Sequence, residues 1–190
     1  MANVSSFLPV ARKSARVLIL GSMPGIASLE AQRYYAHPRN AFWPILAEIC
    51  GFAAALPYER RLNEVQRAGI ALWDVLASCV REGSLDSDIE AASIRTNDFA
   101  GFLTSHPHVA AVFCNGGAAF QMFRKRVLPE LPEEFATVRV RQLPSTSPAH
   151  ASMTLAQNLR RYFSSGVSCA ARALPTTSLP RTDKCTWSEL

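Results

Sequence analysis

Short apolar runs separated by turn residues are the strongest pattern along this chain. The runs are nearly free of charged residues, as expected of strands that are covered on both faces of a parallel sheet. Small or polar residues follow each run. The pattern predicts four strands, at residues 16–20, 70–76, 109–114 and 137–143.

Helical periodicity fills the segments between the predicted strands. Phe42, Ile45, Leu46 and Ile49 recur at helical spacing until Gly51, a residue type that commonly ends helices. Further helices are predicted at residues 57–68, 98–105, 117–127 and 152–163. Alternating strands and helices imply an α/β fold with a parallel sheet and helices on both faces. Ligands of such folds bind beyond the carboxyl ends of the strands.

Length and composition favour one folded domain. The chain has 190 residues, of which 48% are hydrophobic and 18% charged, which is enough apolar material for a single core. We expect one domain over residues 1–164. Residues 165–190 lose the periodicity and carry prolines and a Ser/Thr cluster, so we expect a disordered C-terminal tail there.

The positive charge is concentrated in one part of the sequence. The net charge is +5, and residues 124–161 contain seven basic but only three acidic side chains. A local basic excess of this kind favours a surface that faces a polyanion such as a nucleic acid.

Several classes of protein are excluded by what the sequence lacks. No apolar run approaches the roughly 20 residues of a membrane span, and the N-terminus does not have the order of a signal peptide. The five cysteines are widely spaced and odd in number, so we expect no disulfide framework, no metal site and no cofactor. Free thiols predict a reducing, cytoplasmic location.

The loop after the first predicted strand reads GSMPG and matches neither common phosphate-binding nor hydrolase motifs. It lacks the spacing and the Lys-Ser/Thr pair of a Walker loop, and Met23 stands where a G-x-S-x-G hydrolase has its serine. What remains is a loop bounded by Gly21 and Gly25, whose backbone can approach a ligand closely.

Five motifs in order make the chain similar to a known family. They are GSMPG, YYAHPRNAFW, GIALWDVL with GSLD downstream, FCNGG and LPSTSPA. Together they resemble the hypoxanthine-DNA glycosylases, a branch of the uracil-DNA glycosylase superfamily, over residues 7–163. The resemblance implies a three-layer α/β/α sandwich on a four-stranded, mainly parallel sheet, which agrees with the pattern of strands and helices.

The resemblance also implies a catalytic residue. Many relatives carry an Asp or Asn in the first motif to position the attacking water, whereas this chain has Ser22 and Met23 after Gly21. These three residues are expected to contact the base, and the catalytic role is expected to pass to Asn40. The alternative for Asn40 is an N-cap of the following helix, a position that asparagine fills well.

Three further residues are expected in the base pocket. Tyr35 matches the aromatic residue on which the extruded base stacks, with ordinary core packing as the alternative. Asp74 aligns with the position that reads the base edge, and a carboxylate there accepts the N1–H of hypoxanthine but repels the bare N1 of adenine; alternatively, it caps a turn. Asn115 is expected near the pocket floor, or in a turn formed with the following glycines.

The second motif is expected to contact DNA. Relatives often begin it with His or Asn to stabilise the departing base, and this chain has Ser145. Ser147 is expected to bind a phosphate, with Pro148 in the same motif, while Ala149 and His150 stand where relatives insert a wedge into the duplex. His37, His106 and His108 are expected to be surface or turn residues.

The implied function is a monofunctional, cofactor-free glycosylase that flips hypoxanthine out of DNA and initiates base excision repair. No lysine lies in a motif, so no Schiff-base nucleophile is expected. The substrate is double-stranded or single-stranded DNA with a deaminated base, and we expect a monomer without membrane contact. Two alternatives stay open: a glycosylase for uracil or another deaminated base, and a DNA-binding protein that recognises lesions without cleaving them.

Overall fold

A four-stranded parallel sheet forms the centre of the molecule. The computed structural model describes residues 2–150 and 153–167. The strand order in the sheet is β3-β2-β6-β7, and every neighbouring pair runs parallel. The strands are β2 (Val17–Gly21), β3 (Ile70–Asp74), β6 (Ala111–Asn115) and β7 (Arg139–Leu143).

Helices cover both faces of this sheet, because its central strands are apolar on both sides. Leu18 and Leu20 face a core layer that includes helix residues such as Phe102 and Phe123, whereas Val17 and Ile19 face the opposite layer. The three-layer α/β/α architecture is therefore confirmed. The helices are α1 (Ile26–Ala31), α2 (Phe42–Cys50), α3 (Tyr58–Arg67), α4 (Phe99–Ser105), α5 (Gly117–Arg126) and α6 (Leu155–Ser164).

A second, antiparallel sheet was not predicted. It consists of β1 (Ala2–Ser5), β4 (Leu76–Arg81) and β5 (Arg95–Thr96), in the order β1-β4-β5. The predicted strand at residues 70–76 is therefore wrong in its end: β3 stops at Asp74, and Leu76 begins a strand of the other sheet. The backbone N–H groups of Val75 and Leu76 turn to the carbonyls of Gly21 and Ser22 instead of continuing the ladder.

The packed structure continues beyond residue 164, where we expected the domain to end. Ser165 caps α6, and Val167 is fully buried in the core on the α6 side of the sheet. The rest of the expected tail, residues 168–190, lies outside the described residues. Within the described ranges, no helix has the length and hydropathy needed to cross a membrane.

Candidate active site

A cavity of about 430 Å³ lies at the carboxyl ends of the four parallel strands. Gly21 ends β2, Asp74 ends β3 and Asn115 ends β6, while Ser145 follows β7. All four residues line the cavity, and so do six other residues predicted from the sequence: Ser22, Met23, Tyr35, Asn40, Ser147 and Pro148. His150 ends a 3-10 turn, Pro148–His150, and its side chain lies outside what the structure describes.

The first-motif loop forms one wall of the cavity through its backbone. A Cβ atom on Gly21 would overlap the carboxylate of Asp74 and lie 3.2 Å from the hydroxyl oxygen of Tyr35. Only glycine therefore lets these two side chains approach the end of β2. Met23 is buried and adds an apolar surface.

The loop after β4 is hydrogen-bonded to this wall through Ser84 and Asp86, two residues without a predicted role. The Ser22 hydroxyl donates to the Asp86 carboxylate at 2.7 Å, and the backbone N–H of Ile26 donates to the Ser84 hydroxyl at 3.0 Å. Ser84 and Asp86 both line the cavity. Both belong to the GSLD segment, where turn-forming residues beside an acid could have indicated a loop at the site.

Asp74 is a buried carboxyl group at the end of an apolar strand. Its side chain is only 3% exposed, and its Oδ2 atom has no hydrogen-bond partner among the described residues. Burial, together with the nearby charge of Asp86, raises the pKa of Asp74 to about 8, although the charge of Arg81 acts in the opposite direction. The carboxyl therefore titrates near neutral pH, which is common for groups at functional sites.

Tyr35 combines a strained backbone with an enclosed hydroxyl group. Its φ is +53°, a value that bulky residues rarely adopt. One face of its ring stacks on Phe42, with centroids 3.6 Å apart and an interplanar angle of 17°. The hydroxyl oxygen is buried without a hydrogen-bond partner in the described part of the chain. Burial and the Asp74 carboxylate raise the pKa of this phenol.

Asn40 lies both at the cavity and at the start of a helix. Its Oδ1 atom accepts a hydrogen bond of 3.0 Å from the backbone N–H of Phe42, the first residue of α2. The N-cap of α2 is Ala41, so Asn40 lies one residue before the expected cap position. Its bond to Phe42 does not exclude the catalytic role, because an amide oxygen has two lone pairs. Backbone bonds hold the segment: the N–H of Asn40 donates to His37, and that of Ala41 donates to Thr146.

The Asn115 side chain joins two elements of the fold. Its Nδ2 atom donates to the Thr146 hydroxyl at 2.8 Å, and its Oδ1 atom accepts from the Thr146 backbone N–H at 3.1 Å and from the Tyr162 hydroxyl at 3.0 Å. The side chain lies at the cavity wall, but its amide is committed to holding the second-motif loop. Thr146 is buried, and its role in holding this loop was not predicted from the sequence.

The second-motif loop is stabilised by its own hydroxyl groups. The Ser145 hydroxyl accepts from the backbone N–H of Ser147 at 3.2 Å, and the Ser147 hydroxyl accepts from that of Ala149 at 3.3 Å. Both serines have partly buried side chains at the cavity. Each hydroxyl keeps its own proton for donation to a ligand.

Two other cavity residues come from the segment between α1 and α2. His37, which we expected to be a surface or turn residue, accepts the backbone N–H of Arg39 at its Nδ1 atom, 3.2 Å away, and also lines the cavity. The turn role is therefore present together with a position at the site. Arg39 contributes a positive charge at the same wall.

Arg81 lies behind the first-motif loop and is the largest fully buried side chain among the described residues. Its Nη2 atom donates to the Pro24 carbonyl at 2.6 Å, while Nε and Nη1 have no hydrogen-bond partner in the described ranges. The sequence offered no signal for it, because one arginine in the strand LASCVR resembles an exposed edge residue.

We also searched the described residues for groups of side chains that could bind a metal ion. No group of three or more His, Cys, Asp or Glu side chains that could hold a metal ion occurs within residues 2–150 and 153–167.

The fold and the cavity define an α/β/α enzyme with its site beyond the carboxyl ends of a parallel sheet. The chain belongs to the uracil DNA glycosylase superfamily, whose family model matches residues 8–165. The membership expected from the five motifs is confirmed, and the protein is a DNA glycosylase by class.

Similar proteins come from two methanogens. The chain is 38% identical over 111 residues to a hypoxanthine DNA glycosylase of Methanosarcina barkeri, covering 58% of this chain and 69% of that protein. It is 36% identical over 114 residues to a hypoxanthine DNA glycosylase of Methanosarcina acetivorans, covering 60% and 71%. A solution NMR structure of a candidate uracil DNA glycosylase from Methanosarcina acetivorans has a TM-score of 0.71 and 28% identity, and covers 90% of this chain and 98% of that one.

Proposed function

We propose that this protein is a monofunctional glycosylase that removes hypoxanthine from DNA by attack of water at C1′. The C1′–N9 bond breaks, the base leaves with its electron pair, and the proton lost by the water ends on the released base. The observation that carries the proposal is one cavity that contains both the Asn40 carboxamide and the buried carboxyl of Asp74. The names of the two Methanosarcina relatives support hypoxanthine as the base.

The substrate enters by extrusion from the duplex. An enzyme that acts on a base must flip it into its pocket, at a cost of a few kcal/mol that is lowest for mispaired bases. Hypoxanthine formed from adenine lies opposite thymine and is mispaired. The cavity of about 430 Å³ lies within the size range of small-molecule sites.

Asn40 is suited to hold the attacking water. Its Oδ1 atom is fixed by the bond from Phe42 and retains one lone pair, which accepts a proton of a water molecule and directs the oxygen of that water toward C1′. Cleavage through an oxocarbenium-like state requires little proton abstraction beforehand, so an amide suffices. Preorganisation of this kind reduces the entropic part of the barrier.

Asp74 is suited to select the base. The N1–H of hypoxanthine donates to its unpartnered Oδ2 atom, and such a donor favours the ionised form of the carboxyl group. Adenine presents a bare acceptor at N1, which repels the carboxylate only when it is ionised, so the discrimination against adenine should increase as the pH rises toward the Asp74 pKa of about 8. The cost of an unmatched buried polar group makes this kind of selection strong.

The second-motif loop supplies the remaining contacts of the proposed mechanism, in which no lysine takes part. Ser145 and Ser147 donate to the departing base or to a phosphate, and Ala149 and His150, which follow Pro148, belong to the part of the loop that enters the duplex. Lys13 donates to the carbonyl of Ser105, away from the cavity, which fits a mechanism without a Schiff base.

The direct experiment is base release from a duplex that carries one inosine. We expect free hypoxanthine and an intact strand that breaks only after alkali treatment, without added metal and with a chelator present. Strand scission before alkali treatment, or a covalent complex trapped by borohydride, would contradict the monofunctional mechanism. Tight binding to the inosine site without base release would identify a lesion-recognition protein instead.

Asn40→Ala separates catalysis from helix capping. If Asn40 positions water, single-turnover release falls by about 10²-fold or more, while the loss of the cap costs about 1 kcal/mol of stability. Asp98→Ala is the matched control, because Asp98 caps α4 by accepting from Gly101 at 2.9 Å and does not line the cavity. It loses similar stability and retains the wild-type rate. An Asn40→Ala protein that folds and excises at the wild-type rate removes Asn40 from the mechanism.

Uracil is the second candidate base. It also offers an N–H beside a carbonyl, and the solved relative with 28% identity is described as a candidate uracil DNA glycosylase. A parallel assay with uracil, xanthine and hypoxanthine duplexes ranks the three bases by their rates of release.

A further inference from the structure

Two polar atoms in the cavity are buried without a hydrogen-bond partner among the described residues. They are the hydroxyl oxygen of Tyr35 and the Oδ2 atom of Asp74. Native structures satisfy most buried polar atoms, so each exception requires an explanation such as a missing ligand. One of these atoms belongs to a hydrogen-bond donor, and the other is an acceptor when the carboxyl is ionised.

The two groups lie side by side at the end of β2. Both meet the space that a Cβ atom on Gly21 would occupy, and the Tyr35 oxygen lies 3.2 Å from that point. Burial raises the pKa of the Tyr35 phenol, and the carboxylate of Asp74 raises it further. They nevertheless form no hydrogen bond with each other.

Other groups near the Tyr35 hydroxyl are already occupied. A polar contact with Asn115 lowers the pKa of Tyr35, but its geometry does not meet the criteria of a hydrogen bond, and the Tyr35 oxygen has no hydrogen-bond partner among the described residues. The Asn115 oxygen accepts from Thr146 and Tyr162, and its nitrogen donates to Thr146. The donor of Tyr35 is therefore available to a ligand.

The backbone of Tyr35 supports a functional position for this hydroxyl. Its φ of +53° is unfavourable for a bulky residue, and strain of this kind is concentrated at functional sites. Stacking on Phe42 fixes the ring, so the hydroxyl is held in place before a ligand arrives.

We propose that the Tyr35 hydroxyl is a specificity-determining group that donates to the carbonyl oxygen of a lactam edge, while Asp74 accepts the neighbouring N–H. In hypoxanthine these partners are O6 and N1–H. The proposal rests on the proposed glycosylase function. A ring stacked face to face on a base cannot also donate a hydrogen bond in the plane of that base, so the hydrogen-bonding role replaces the stacking role expected for Tyr35 from the sequence. Guanine shares this edge, but its pairing with cytosine makes it more costly to extrude than mispaired hypoxanthine.

Tyr35→Phe tests the hydroxyl alone, because the ring and its contact with Phe42 are retained. Single-turnover release is measured from duplexes that carry either hypoxanthine or unsubstituted purine, which lacks both O6 and N1–H. We expect Tyr35→Phe to reduce release of hypoxanthine about tenfold to hundredfold and to leave release of purine at the wild-type rate, because a lost hydrogen bond matters only where the base offers its partner. Where purine is released too slowly to measure, the affinities of the two bases in uncleavable 2′-fluoro duplexes give the same comparison.

Tyr34→Phe is the matched control. The Tyr34 hydroxyl donates to the carbonyl of Leu8 at 3.1 Å, so its loss lowers the melting temperature, and any effect on release is equal for the two bases. Tyr35→Phe removes an unpartnered hydroxyl, so its melting temperature stays level or rises.

The outcomes separate this proposal from the proposed function. A wild-type protein that binds hypoxanthine duplexes but releases no base contradicts the glycosylase mechanism, and the 2′-fluoro affinities still decide the role of Tyr35. Equal losses on hypoxanthine and purine, or no loss on either, overturn the proposal for the Tyr35 hydroxyl. A melting temperature that falls as much as in Tyr34→Phe would show that the hydroxyl is structural.

Discussion

The titration of Asp74 makes the stability of this protein depend on pH in a way that Asp74→Asn abolishes. The folded-state pKa of about 8 lies above the ordinary value of 3.8, chiefly because burial disfavours the charge. The folded protein therefore keeps the Asp74 proton over a pH range in which the unfolded chain has lost it. The contribution of the protonated group to stability is fully present below pH 3.8 and is lost as the pH rises toward 8.

The size of the effect follows from the width of this range. Each pH unit within it costs about 1.4 kcal/mol of unfolding free energy. Between the ordinary pKa of 3.8 and neutral pH, the ionisation of Asp74 removes on the order of 4 kcal/mol from the wild-type protein. Asn has nearly the same shape and does not titrate. Any cost of its buried amide is the same at every pH.

The measurement is urea unfolding of the wild-type protein and of Asp74→Asn at several values between about pH 5 and pH 8. The difference in unfolding free energy should shift in favour of Asp74→Asn by more than 1 kcal/mol for each pH unit. Asp86→Asn provides a second test, because it removes a charge that raises the pKa of Asp74. In this variant the loss of stability with pH should end at a lower pH than in the wild-type protein. Parallel stability curves for the wild-type protein and Asp74→Asn would refute the assignment of a buried, raised-pKa carboxyl.

Two further predictions concern the buried arginine and the basic surface. Arg81→Ala removes a fully buried side chain and the 2.6 Å bond to Pro24, so we expect a loss of about 3 kcal/mol in urea unfolding, and an unchanged midpoint would disprove a structural role for Arg81. DNA affinity should fall with salt at a log–log slope of several units, because each neutralised phosphate releases about 0.9 counterion and residues 124–161 carry the basic excess. A flat salt dependence in a filter-binding or anisotropy titration would contradict this surface.

The sequence predicted those parts of the fold that local pattern determines. The cores of the four parallel strands and the end of α2 follow from apolar runs and from Gly51. The helix predicted from residue 152 begins at Leu155, after the Thr154 cap, which was not predicted from the sequence. The end of β3 could not be predicted, because the apolar run continues through Leu76. The strand ends where Val75 and Leu76 donate hydrogen bonds to residues about 50 positions earlier in the chain. β1 was missed because its alternating segment, ANVS, has only four residues and is too short to indicate a strand by itself.

The candidate site shows the same division. Ten of the eleven site residues named from the family motifs line one cavity. A motif match does not show, however, which contacts each side chain makes. Asn115 matches a pocket position, although its amide holds Thr146. Arg81 and the bond between Ser22 and Asp86 depend on contacts between elements far apart in sequence, which no local pattern records.

These contacts also give a physical reason why a first motif without an acid or amide is compatible with the proposed chemistry. Ser22 donates to Asp86, Met23 is buried, and Gly21 serves by having no side chain, so none of the three places a carboxylate or amide oxygen in the cavity. A water-positioning group needs only to reach C1′ from a fixed place, whichever segment carries it. In the proposed mechanism the Asn40 amide has this role, and its oxygen is fixed at the start of α2 by a bond from Phe42. The first-motif loop is then available as the wall against which Asp74 and Tyr35 pack, so moving the amide to another loop leaves the base-reading edge intact.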